Sequence, residues 1–552
     1  MIEQKPLGQF LLEEGIVTQK QIDVALSVQK IENAFLGETL QSLDFITSEE
    51  IAKAVAKQLE KEYVDIENSA IDAEVLTLVP KEIALSKKVL PLWIKDGTLY
   101  VAAEDTQDLV TSDYLLRTTK HPVTYVVCDK AKLYNMIELH YYQLENPIEK
   151  RIESFIENYA RGLDIDVVAL LDLLMHNALK DRATDIHITP DVRVVHVFFR
   201  IDGVLQHYYT LSKDVHAQMV ARVKILSSID IAEQRLPQDG AFSYQFLEQS
   251  YDFRASTLPT DQGENLVLRI LAQTDSLIHL SALGLDEEDY QLLTSFFNKP
   301  YGMILVTGPT GSGKTTTLYS ALQQIDFLSK NVLTVEDPIE YRFSFIKQTQ
   351  INEKSGYGFA KAIRHFMRQD PDVLLVGEIR DQETAELAVR ASITGHLVLS
   401  TLHANSAVAT IPRLRDMGIA DDLIATSLLA VVAQRLVRRV CHHCCISTKV
   451  TRSSLGDLGF ITKQLDSESM TIFKANDKGC QHCSFTGYHG RSAILEMLTI
   501  DETMKAMIAN NASTFDLSNY ALEQGMLVMK QHGLKKILEG VTSLDEVLRV
   551  TI

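Results

Sequence analysis

The chain lacks an excess of positive charge. Its 552 residues carry 54 Lys and Arg against 73 Asp and Glu, which gives a formal net charge of −19. Extended contact with nucleic acid or with anionic lipid needs a net basic face, so this balance disfavours both classes of partner. Any basic contact has to be a local patch.

Long apolar runs are missing as well. No run approaches the roughly 18 apolar residues that a membrane-spanning helix needs, and the opening Met-Ile-Glu-Gln-Lys lacks the apolar core of a signal peptide. These absences predict a cytoplasmic protein. The length exceeds what one hydrophobic core supports, so we expect about three or four domains.

Cysteines are few and unevenly placed, since five of the six lie between Cys441 and Cys483. In a reducing compartment such a cluster indicates metal binding rather than disulfides. Cys441 and Cys444 form one C-x-x-C pair, and Cys480 and Cys483 form another, which together suit tetrahedral zinc with no open position. The 35 residues between the pairs exceed the usual loop of a zinc ribbon and predict a small lobe there.

Alternatives stay open for this metal site. Cys445 competes with Cys444 as a ligand because the two are adjacent. A redox dithiol pair is a different use of the same C-x-x-C motifs. Other nearby donors are His442, His443 and His482.

The most informative segment is the glycine-rich loop at 308–315, which reads Gly-Pro-Thr-Gly-Ser-Gly-Lys-Thr. The apolar run 303–306 leads into it, and 316–324 lacks glycine and proline and suits a helix. Glycines let backbone N–H groups surround an anion, Lys314 adds charge at the outer phosphates, and the Thr315 hydroxyl can ligate magnesium. The predicted nucleotide-binding residues are Gly308, Pro309, Thr310, Gly311, Ser312, Gly313, Lys314, Thr315 and Thr316.

Three apolar segments downstream of the loop each end in an acidic or basic tip. The tips carry Glu336 and Glu340, then Glu378, then His403. In parallel sheets the carboxyl ends of the strands meet at one edge, so the tips are predicted to converge on the phosphates held by Lys314. The alternative is ordinary solvated surface.

Two arginines lie inside strand-like segments upstream of the loop. Arg254 falls in 251–259 and Arg269 in 263–271, and both segments have the pattern of a strand. A strand arginine usually has an anionic partner. A surface ion pair and a nucleotide phosphate are both open.

Four sequence blocks resemble the secretion ATPases of type II secretion and type IV pilus assembly, and the likeness spans 165–552. The blocks are 308–317, 335–340, 368–381 and 394–405. The resemblance implies an α/β fold, in which a RecA-like P-loop ATPase domain follows an α+β, PAS-like middle domain and a largely helical N-terminal region. The four-cysteine zinc subdomain occurs in the pilus-extension and secretion members, so the extension type is implied.

The resemblance also assigns roles within the ATPase domain. Glu340 matches the glutamate that orients or deprotonates the attacking water. Glu378 lies in the unusual Walker B motif and would hold magnesium together with Thr315. His403 matches the histidine box.

Basic residues complete the implied site. Arg254 and Arg269 match middle-domain arginines that approach the γ-phosphate, where such charges contribute roughly 10³ to 10⁵ in rate. Arg364 and Arg368, spaced i and i+4 on a predicted helix, match basic residues near the nucleotide and the subunit boundary. In the family, assembly of a ring brings arginines to the site, and a purely structural role is the alternative for each one.

The N-terminal region contains a repeat displaced by 29 residues. Leu7-Gly8 recurs as Leu36-Gly37, and Gly15-Ile16-Val17 recurs as Asp44-Phe45-Ile46. Each unit has the pattern of a short helix, a turn and a longer helix.

This repeat resembles the N-terminal domain of pilus-assembly ATPases whose paired motifs bind cyclic di-GMP. Gln29 and Gln58 match the motif. Its opening Arg-Leu-Gly is altered, because Pro6 and Phe35 occupy the arginine positions and the guanidinium that would stack on guanine is absent. This departure predicts weak or absent binding, and a docking domain without a ligand is the alternative.

The resulting model is a homo-hexameric motor that uses ATP, Mg²⁺ and Zn²⁺ and meets an inner-membrane platform protein and an adaptor, with no direct nucleic-acid contact. Rival hypotheses are a nucleotide-regulated docking or cyclic di-GMP-sensing protein with little hydrolysis, and a DNA-uptake ATPase. The predicted divisions are a helical repeat domain at 1–62, a second α+β subdomain at 63–144, a linker at 145–165, the middle domain at 166–285, and the ATPase domain at 286–552 with a zinc-binding insertion at about 438–490.

Overall fold

The computed structural model describes residues 5–69, 71–163, 166–271, 279–462, 465 and 467–551. Residues 1–4, inspected above for a signal core, and residues 164–165, at the end of the predicted linker, lie outside that set. The chain divides into two compact units, one formed by Met1–Gln4 and Ser48–Asp275 and the other by Lys5–Thr47 and Ser276–Ile552. We call them the first and the second unit.

Residues 5–147 form helices and a short sheet. The helices are α1 (Leu7–Glu13), α2 (Gln19–Glu32), α3 (Leu36–Ser42), α4 (Ser48–Gln58), α5 (Ala73–Leu76), α6 (Lys81–Lys87), α7 (Leu109–Thr119) and α8 (Lys130–Glu145). The strands are β1 (Val89–Lys95), β2 (Thr98–Ala103) and β3 (Val123–Val126).

Residues 148–271 contain α9 (Ile148–Ala160), α10 (Val167–Lys180), β4 (Asp185–Pro190), β5 (Val194–Ile201), β6 (Val204–Ser212), α11 (His216–Leu226), β7 (Gln238–Phe246), β8 (Gln249–Thr260) and β9 (Gly263–Leu271). A 3₁₀ turn at Lys213–Val215 leads into α11.

Residues 279–551 alternate strands and helices before ending in helices. The elements are α12 (Glu287–Phe297), β10 (Gly302–Thr307), α13 (Lys314–Leu322), β11 (Val332–Glu336), β12 (Lys347–Gln350), α14 (Phe359–Phe366), β13 (Val373–Val376), α15 (Gln382–Ile393), β14 (Leu397–Leu402), α16 (Thr410–Asp416), α17 (Asp421–Ser427), β15 (Leu428–Val440), β16 (Ile446–Thr451), α18 (Arg452–Asp457), β17 (Ser469–Lys474), β18 (Tyr488–Thr499), α19 (Glu502–Ala509), α20 (Thr514–Glu523), α21 (Met529–Leu538) and α22 (Leu544–Thr551). Short 3₁₀ turns lie at Leu280–Leu283, Glu353–Ser355 and Gln481–Cys483.

The second unit is built on a seven-stranded sheet in the order β12-β11-β13-β14-β10-β15-β18. Its strands pair in parallel, except that β18 runs antiparallel to β15. Every residue of β10 is buried, as expected for a parallel strand covered on both faces. Met303 and Leu305 pack into one core, and Ile304 and Val306 into the core on the opposite face. This arrangement confirms the predicted α/β fold of the ATPase domain.

A small lobe lies between the two cysteine pairs, as the long spacing predicts. There β16 and β17 pair antiparallel, with Ile446 opposite Lys474, and α18 follows β16. The buried side chains of Val450, Leu455 and Ile472 join the main core of the unit, so the lobe is packed against that core.

The middle domain, in the first unit, is a six-stranded antiparallel sheet in the order β6-β5-β4-β9-β8-β7. The side chains of β4 alternate between the two faces of the sheet, and Ile186 and Ile188 are fully buried in the core formed with α10 and α11. Asp185 and His187 alternate with them and therefore lie on the opposite face. Strand register places Arg200, Arg269 and Arg254 in line with Asp185 across this face.

Part of the linker, which the sequence predicts as a helical or flexible connector rather than a packed segment, is a helix that packs into a core. Residues 148–160 form α9, and Ile148 and Ile152 are buried in the core of the middle domain. The apolar residues of α9 repeat at helical spacing along one face while the charged residues cover the other face. The high charge of 145–165 conceals that pattern when the segment is judged by composition.

The predicted repeat forms helices, and the division between the units falls within it, between Thr47 and Ser48. In both repeat units the turn between the short and the long helix needs a left-handed residue, which is Gly15 (φ 70°) and then Asp44 (φ 57°). The domain boundaries drawn from the sequence stay a prediction. Among the described residues, no helix has the length and apolarity needed to cross a bilayer.

Candidate nucleotide-binding and hydrolysis site

The glycine-rich loop connects β10 to α13, as predicted. Gly308, Gly311 and Gly313 all have positive φ, at 146°, 76° and 86°. A Cβ on Gly308 would lie 2.4 Å from the carbonyl oxygen of Gln434, and a Cβ on Gly313 would lie 2.8 Å from the Nε2 of the same residue. The loop therefore lies directly against β15, and only glycine fits at these two positions.

Donors in the loop fit a phosphate group. Lys314 Nζ donates to the carbonyl oxygens of Gly308 (2.9 Å) and Pro309 (3.0 Å), which keeps the ammonium over the loop. Burial lowers the pKa of Lys314, and the nearby charge of Glu378 opposes that change. Ser312 Oγ is buried and has no hydrogen-bond partner among the described residues, so a bound oxyanion would satisfy it.

The two strand tips nearest the loop lie at one edge of the sheet. Both β13 and β14 lie on the same side of β10 in the sheet order, and Glu378 and His403 follow their carboxyl ends. His403 Nε2 lies 3.9 Å from Glu378 Oε2. Because the charge of Glu378 also opposes the lowering of the Lys314 pKa by burial, three ionisable groups share one edge of the sheet.

Arg380 is a member of this group that the motif analysis did not single out. It forms an ion pair with Glu378, and its Nη1 lies 4.0 Å from Asp337 Oδ2. The same carboxylate oxygens of Glu378 would serve a magnesium ion, so Arg380 competes with that role. Its place two residues after Glu378 is the signal that could have identified it.

The two glutamates of the acidic segment have different environments. Glu336 is buried and accepts hydrogen bonds from the Tyr319 and Thr334 hydroxyls and from Gln348 Nε2. Glu340 is exposed to solvent, and its backbone N–H donates to Tyr319 Oη at 3.2 Å. Glu336 therefore serves as a structural acceptor, whereas the side chain of Glu340 is accessible to water.

Arg364 and Arg368 are not on one helix, contrary to the prediction. Because α14 ends at Phe366, Arg368 lies in the turn beyond it. Its Nη1 donates to the Arg364 carbonyl oxygen at 2.8 Å and so satisfies an acceptor at the helix end. Arg364 forms an ion pair with Glu383 on α15.

In the first unit, strand register aligns four charged residues across the middle-domain sheet. Arg200 lies opposite Asp185, Asp185 opposite Arg269, and Arg269 opposite Arg254. Arg269 Nε is 2.9 Å from Asp185 Oδ1, and Arg200 Nε is 3.7 Å from Asp185 Oδ2. We call these four residues the arginine row.

The arginine row contains three guanidinium groups and one carboxylate, which leaves a local excess of positive charge. The Asp185 side chain is 6% exposed, while that of Arg269 is 60% exposed even though it is paired. Arg254 is exposed and forms no ion pair with any described residue. The surface ion pair considered above thus describes Arg269, and Arg254 is available to a further anion. Arg200 and Asp185 were missed because only the register reveals them.

The four predicted cysteines form one cluster in the second unit. Their sulfur atoms all lie within 4.8 Å of one another. Cys441 Sγ is 3.7 Å from Cys480 Sγ, and Cys483 Sγ is 3.8 Å from both Cys444 Sγ and Cys480 Sγ. A zinc ion with Zn–S bonds of about 2.3 Å needs sulfur pairs about 3.8 Å apart, so the cluster fits tetrahedral zinc.

Groups around the cluster also suit a metal. The backbone N–H groups of Cys480 and Gly487 point at Cys483 Sγ from 3.1 and 3.2 Å, which stabilises a thiolate. Cys445 lies outside the group, with its sulfur 3.9 Å from the His442 carbonyl oxygen. None of the nearby histidines belongs to the group of potential ligands among the described residues.

Asp286, Asp289 and His532 also lie close enough together to suggest a metal. However, His532 Nδ1 accepts the backbone N–H of Leu495 at 2.7 Å, so the proton of the neutral ring is on Nε2, which lies 2.9 Å from Asp289 Oδ2. A metal on Nε2 would require an imidazolate. Asp286 pairs with Lys535, and the group is therefore a structural contact between α12 and α21.

A parallel sheet, a glycine-rich loop between a buried strand and a helix, and a lysine at the end of that loop define a P-loop nucleoside triphosphatase. The family model described as Type II/IV secretion system protein matches residues 163–549. The chain belongs to this family. A second model, described as MshEN domain, matches residues 59–147, which is the predicted second subdomain rather than the repeat before it.

Relatives agree with this assignment. The type IV pilus assembly ATPase PilB of Myxococcus xanthus is 35% identical over 558 residues, which cover 98% of both chains. The type II secretion system protein E of Pseudomonas aeruginosa is 44% identical over 388 residues, which cover 70% of this chain and 76% of that one. The ATPase DotB of Legionella pneumophila covers 69% of this chain and 95% of its own at a TM-score of 0.50 and 20% identity, which supports the fold alone. The chain is an ATP hydrolase of the secretion family.

Proposed function

We propose that this chain is the motor ATPase of a type IV pilus or type II secretion machine, where ATP hydrolysis drives assembly of a pilus or pseudopilus. The observation that carries this proposal is the match along 98% of both chains to a type IV pilus assembly ATPase. The gathering of Lys314, Glu378 and His403 at one edge of the sheet supports a site that hydrolyses nucleotide as well as binding it.

In this proposal the loop 308–315 binds the phosphates through its N–H groups and Lys314. Glu340, which is exposed beside the sheet edge, orients or deprotonates the attacking water. Thr315 and Glu378 would hold magnesium, which would supply positive charge for the phosphate groups. Arg380 is the counter-ion of Glu378.

The arginine row supplies the remaining positive charge. As the γ-phosphoryl group leaves, negative charge spreads over its oxygens, and Arg254 and Arg269 would stabilise that charge within an assembled hexamer. Arg254 suits this role best because it is exposed and forms no ion pair with any described residue. Arg364 and Arg368 would lie near the subunit boundary.

Zinc in the cysteine cluster would be structural, because four thiolates leave no open position. Partners in this proposal are five further copies of the chain, an inner-membrane platform protein and an adaptor, which together bring the motor to the cytoplasmic face of the membrane. Cyclic di-GMP is a candidate ligand of the N-terminal region, where Pro6 and Phe35 stand in place of the motif arginines.

The test compares ATP turnover of the full-length protein with that of Lys314→Ala and Glu340→Gln. We expect Lys314→Ala to lose both nucleotide binding and turnover. Glu340→Gln should keep binding and lose roughly 10²-fold or more in turnover, the usual contribution of a general base. Glu502→Gln is the matched control, since this exposed glutamate on α19 pairs only with Lys505 among the described residues.

Two outcomes would contradict the motor proposal. Equal and negligible turnover in the wild type, Lys314→Ala and Glu340→Gln would favour a nucleotide-regulated docking protein. Salt-sensitive binding of duplex DNA by the wild type would favour a DNA-uptake ATPase.

A further inference from the structure

Among the positions at which the two repeat units differ, the pair Gly15 and Asp44 has a structural reason. Gly15 and Asp44 occupy the same turn, and both have left-handed backbone, with φ of 70° and 57°. Glycine adopts this conformation at no steric cost, whereas aspartate does not. A Cβ at Gly15 would meet nothing within 4 Å. The second repeat unit therefore carries a less favourable residue at this turn, and the contacts of Asp44 explain why.

Asp44 binds the ATPase domain within the second unit. Its Oδ1 accepts the Tyr341 hydroxyl at 2.8 Å, and its Oδ2 accepts the backbone N–H of Ser344 at 2.8 Å. Beside it, the ring of Phe45 stacks on that of Phe345, with centroids 5.4 Å apart and planes 7° from parallel. Both oxygens of one carboxylate thus hold the segment 341–345.

A further hydrogen bond connects the same turn to the segment. Ser344 Oγ donates to the carbonyl oxygen of Ser42 at 2.9 Å. The contact therefore combines an ionised acceptor, a backbone acceptor and a stacked aromatic pair. We call Ser42, Asp44 and Phe45 the repeat clamp.

The segment held by the repeat clamp begins directly after Glu340. Gln348 Nε2 donates to the Tyr341 carbonyl oxygen at 2.8 Å and to Glu336 Oε1 at 3.2 Å. Glu336 in turn accepts the Tyr319 hydroxyl, and that hydroxyl accepts the Glu340 backbone N–H at 3.2 Å. The repeat clamp therefore holds the backbone after Glu340, and Tyr319 connects the Glu340 N–H to Glu336 at the end of β11.

We propose that Asp44 is a positioning residue for hydrolysis, which fixes the backbone after Glu340 so that its carboxylate meets the attacking water. The inference rests on the proposed role of Glu340. A general base has to be placed to within a fraction of an ångström, and misplacement by about 1 Å costs on the order of 10²-fold in rate. A ligand or partner that draws residues 5–47 away from the segment would thus lower hydrolysis without touching the phosphate loop.

The repeat supplies its own test. Asp44→Gly removes both acceptors and keeps a residue that suits the left-handed turn, so the turn itself stays folded. In the full-length protein we expect kcat to fall about tenfold with KM for ATP unchanged, because a mobile base costs rate and the phosphate loop is intact. Asp44→Asn, which keeps one acceptor oxygen and tolerates the same backbone, should restore part of the rate.

Tyr341→Phe removes the hydrogen bond between Tyr341 and Asp44 from the side of the ATPase domain. The matched control changes Gly15, which is the equivalent position in the first repeat unit. Tyr341→Phe should lower kcat no more than Asp44→Gly does, and the double variant should be no slower than Asp44→Gly, because Asp44→Gly already removes the bond that Tyr341→Phe breaks. Gly15→Asp places the same side chain on the same backbone conformation away from Tyr341 and should keep the wild-type kcat. Hydrogen exchange should show faster exchange of the Ser344 amide in Asp44→Gly and in the double variant, and wild-type exchange in Gly15→Asp.

Three results would overturn the inference: wild-type kcat in Asp44→Gly, a raised kcat in that variant, or additive losses in the double variant. A raised kcat would make the contact a brake. Glu340→Gln separates this inference from the proposed function. If Glu340→Gln is inactive while Asp44→Gly is normal, only the inference fails; if Glu340→Gln turns over normally, the proposed function fails first.

Discussion

The phosphate loop and the arginine row are both positively charged sites, and they are built in opposite ways. The loop is made by eight consecutive residues, 308–315, whose backbone N–H groups converge because three glycines take positive φ. The row is assembled from four strands of a different sheet, and its members are neighbours only through register.

This difference separates what each site can do alone. The loop holds its lysine over its own carbonyl groups and fits a phosphate without help from another element. The row has an exposed arginine and a single buried carboxylate, so its surplus charge needs an anion from elsewhere. Binding and acceleration of hydrolysis should therefore respond separately to substitution.

The largest loss of kcat is expected from substitutions in the arginine row. Arg254→Ala and Arg269→Ala should each lower kcat by roughly 10³-fold while nucleotide affinity stays near the wild-type value, since their charge acts mainly in the transition state. Steady-state kinetics and nucleotide titration of the same preparations measure both quantities. Arg193→Ala, in the exposed turn between β4 and β5, is the control. A loss of affinity with unchanged kcat would make the row a binding site like the loop.

A smaller effect is expected from Asp185→Asn. This change keeps the shape of the side chain and removes the charge that orients Arg269, so we expect kcat to fall about tenfold, as for a misaligned catalytic group. Asp261→Asn, in the exposed turn between β8 and β9, should have no effect. If Asp185→Asn raised kcat, the ion pair would be restraining Arg269 rather than orienting it.

The smallest effect on turnover is expected at the cysteine cluster, whose role is structural. Cys480→Ser should lower the zinc content of the purified protein from near one ion per chain to near zero, because four thiolates are needed for a closed site. Cys445→Ser should retain the metal, since that sulfur lies outside the cluster. Elemental analysis decides between these outcomes. A wild-type protein with reduced thiols and no zinc would exclude the site.

Local patterns in the sequence predicted the loop and the cysteine pairs because their geometry depends on near neighbours. The phosphate cradle follows from glycines and a lysine within one short segment, and the tips at Glu378 and His403 follow from the polarity of parallel strands. The lobe between the cysteine pairs follows from the length of the spacing alone.

Features that depend on distant residues escaped the same reasoning. Arg200 and Asp185 join the arginine row through pairing that no local window reveals. Arg368 was placed on a helix that ends two residues before it. The bond from Asp44 to Tyr341 joins residues almost three hundred positions apart, and its only trace in the sequence is an aspartate where the first repeat unit has glycine.

The strand β15 runs from the phosphate loop to the cysteine cluster. At Gln434 it forms the floor of the phosphate loop, and after Val440 it leads directly to Cys441. Its partner β18 begins shortly after Cys483, with Val440 opposite Tyr488. The cysteine cluster thus connects the end of β15 to the start of β18, and these two strands are hydrogen-bonded to each other. A mechanical load on the lobe between the cysteine pairs would therefore reach the base of the phosphate loop through the paired strands β15 and β18.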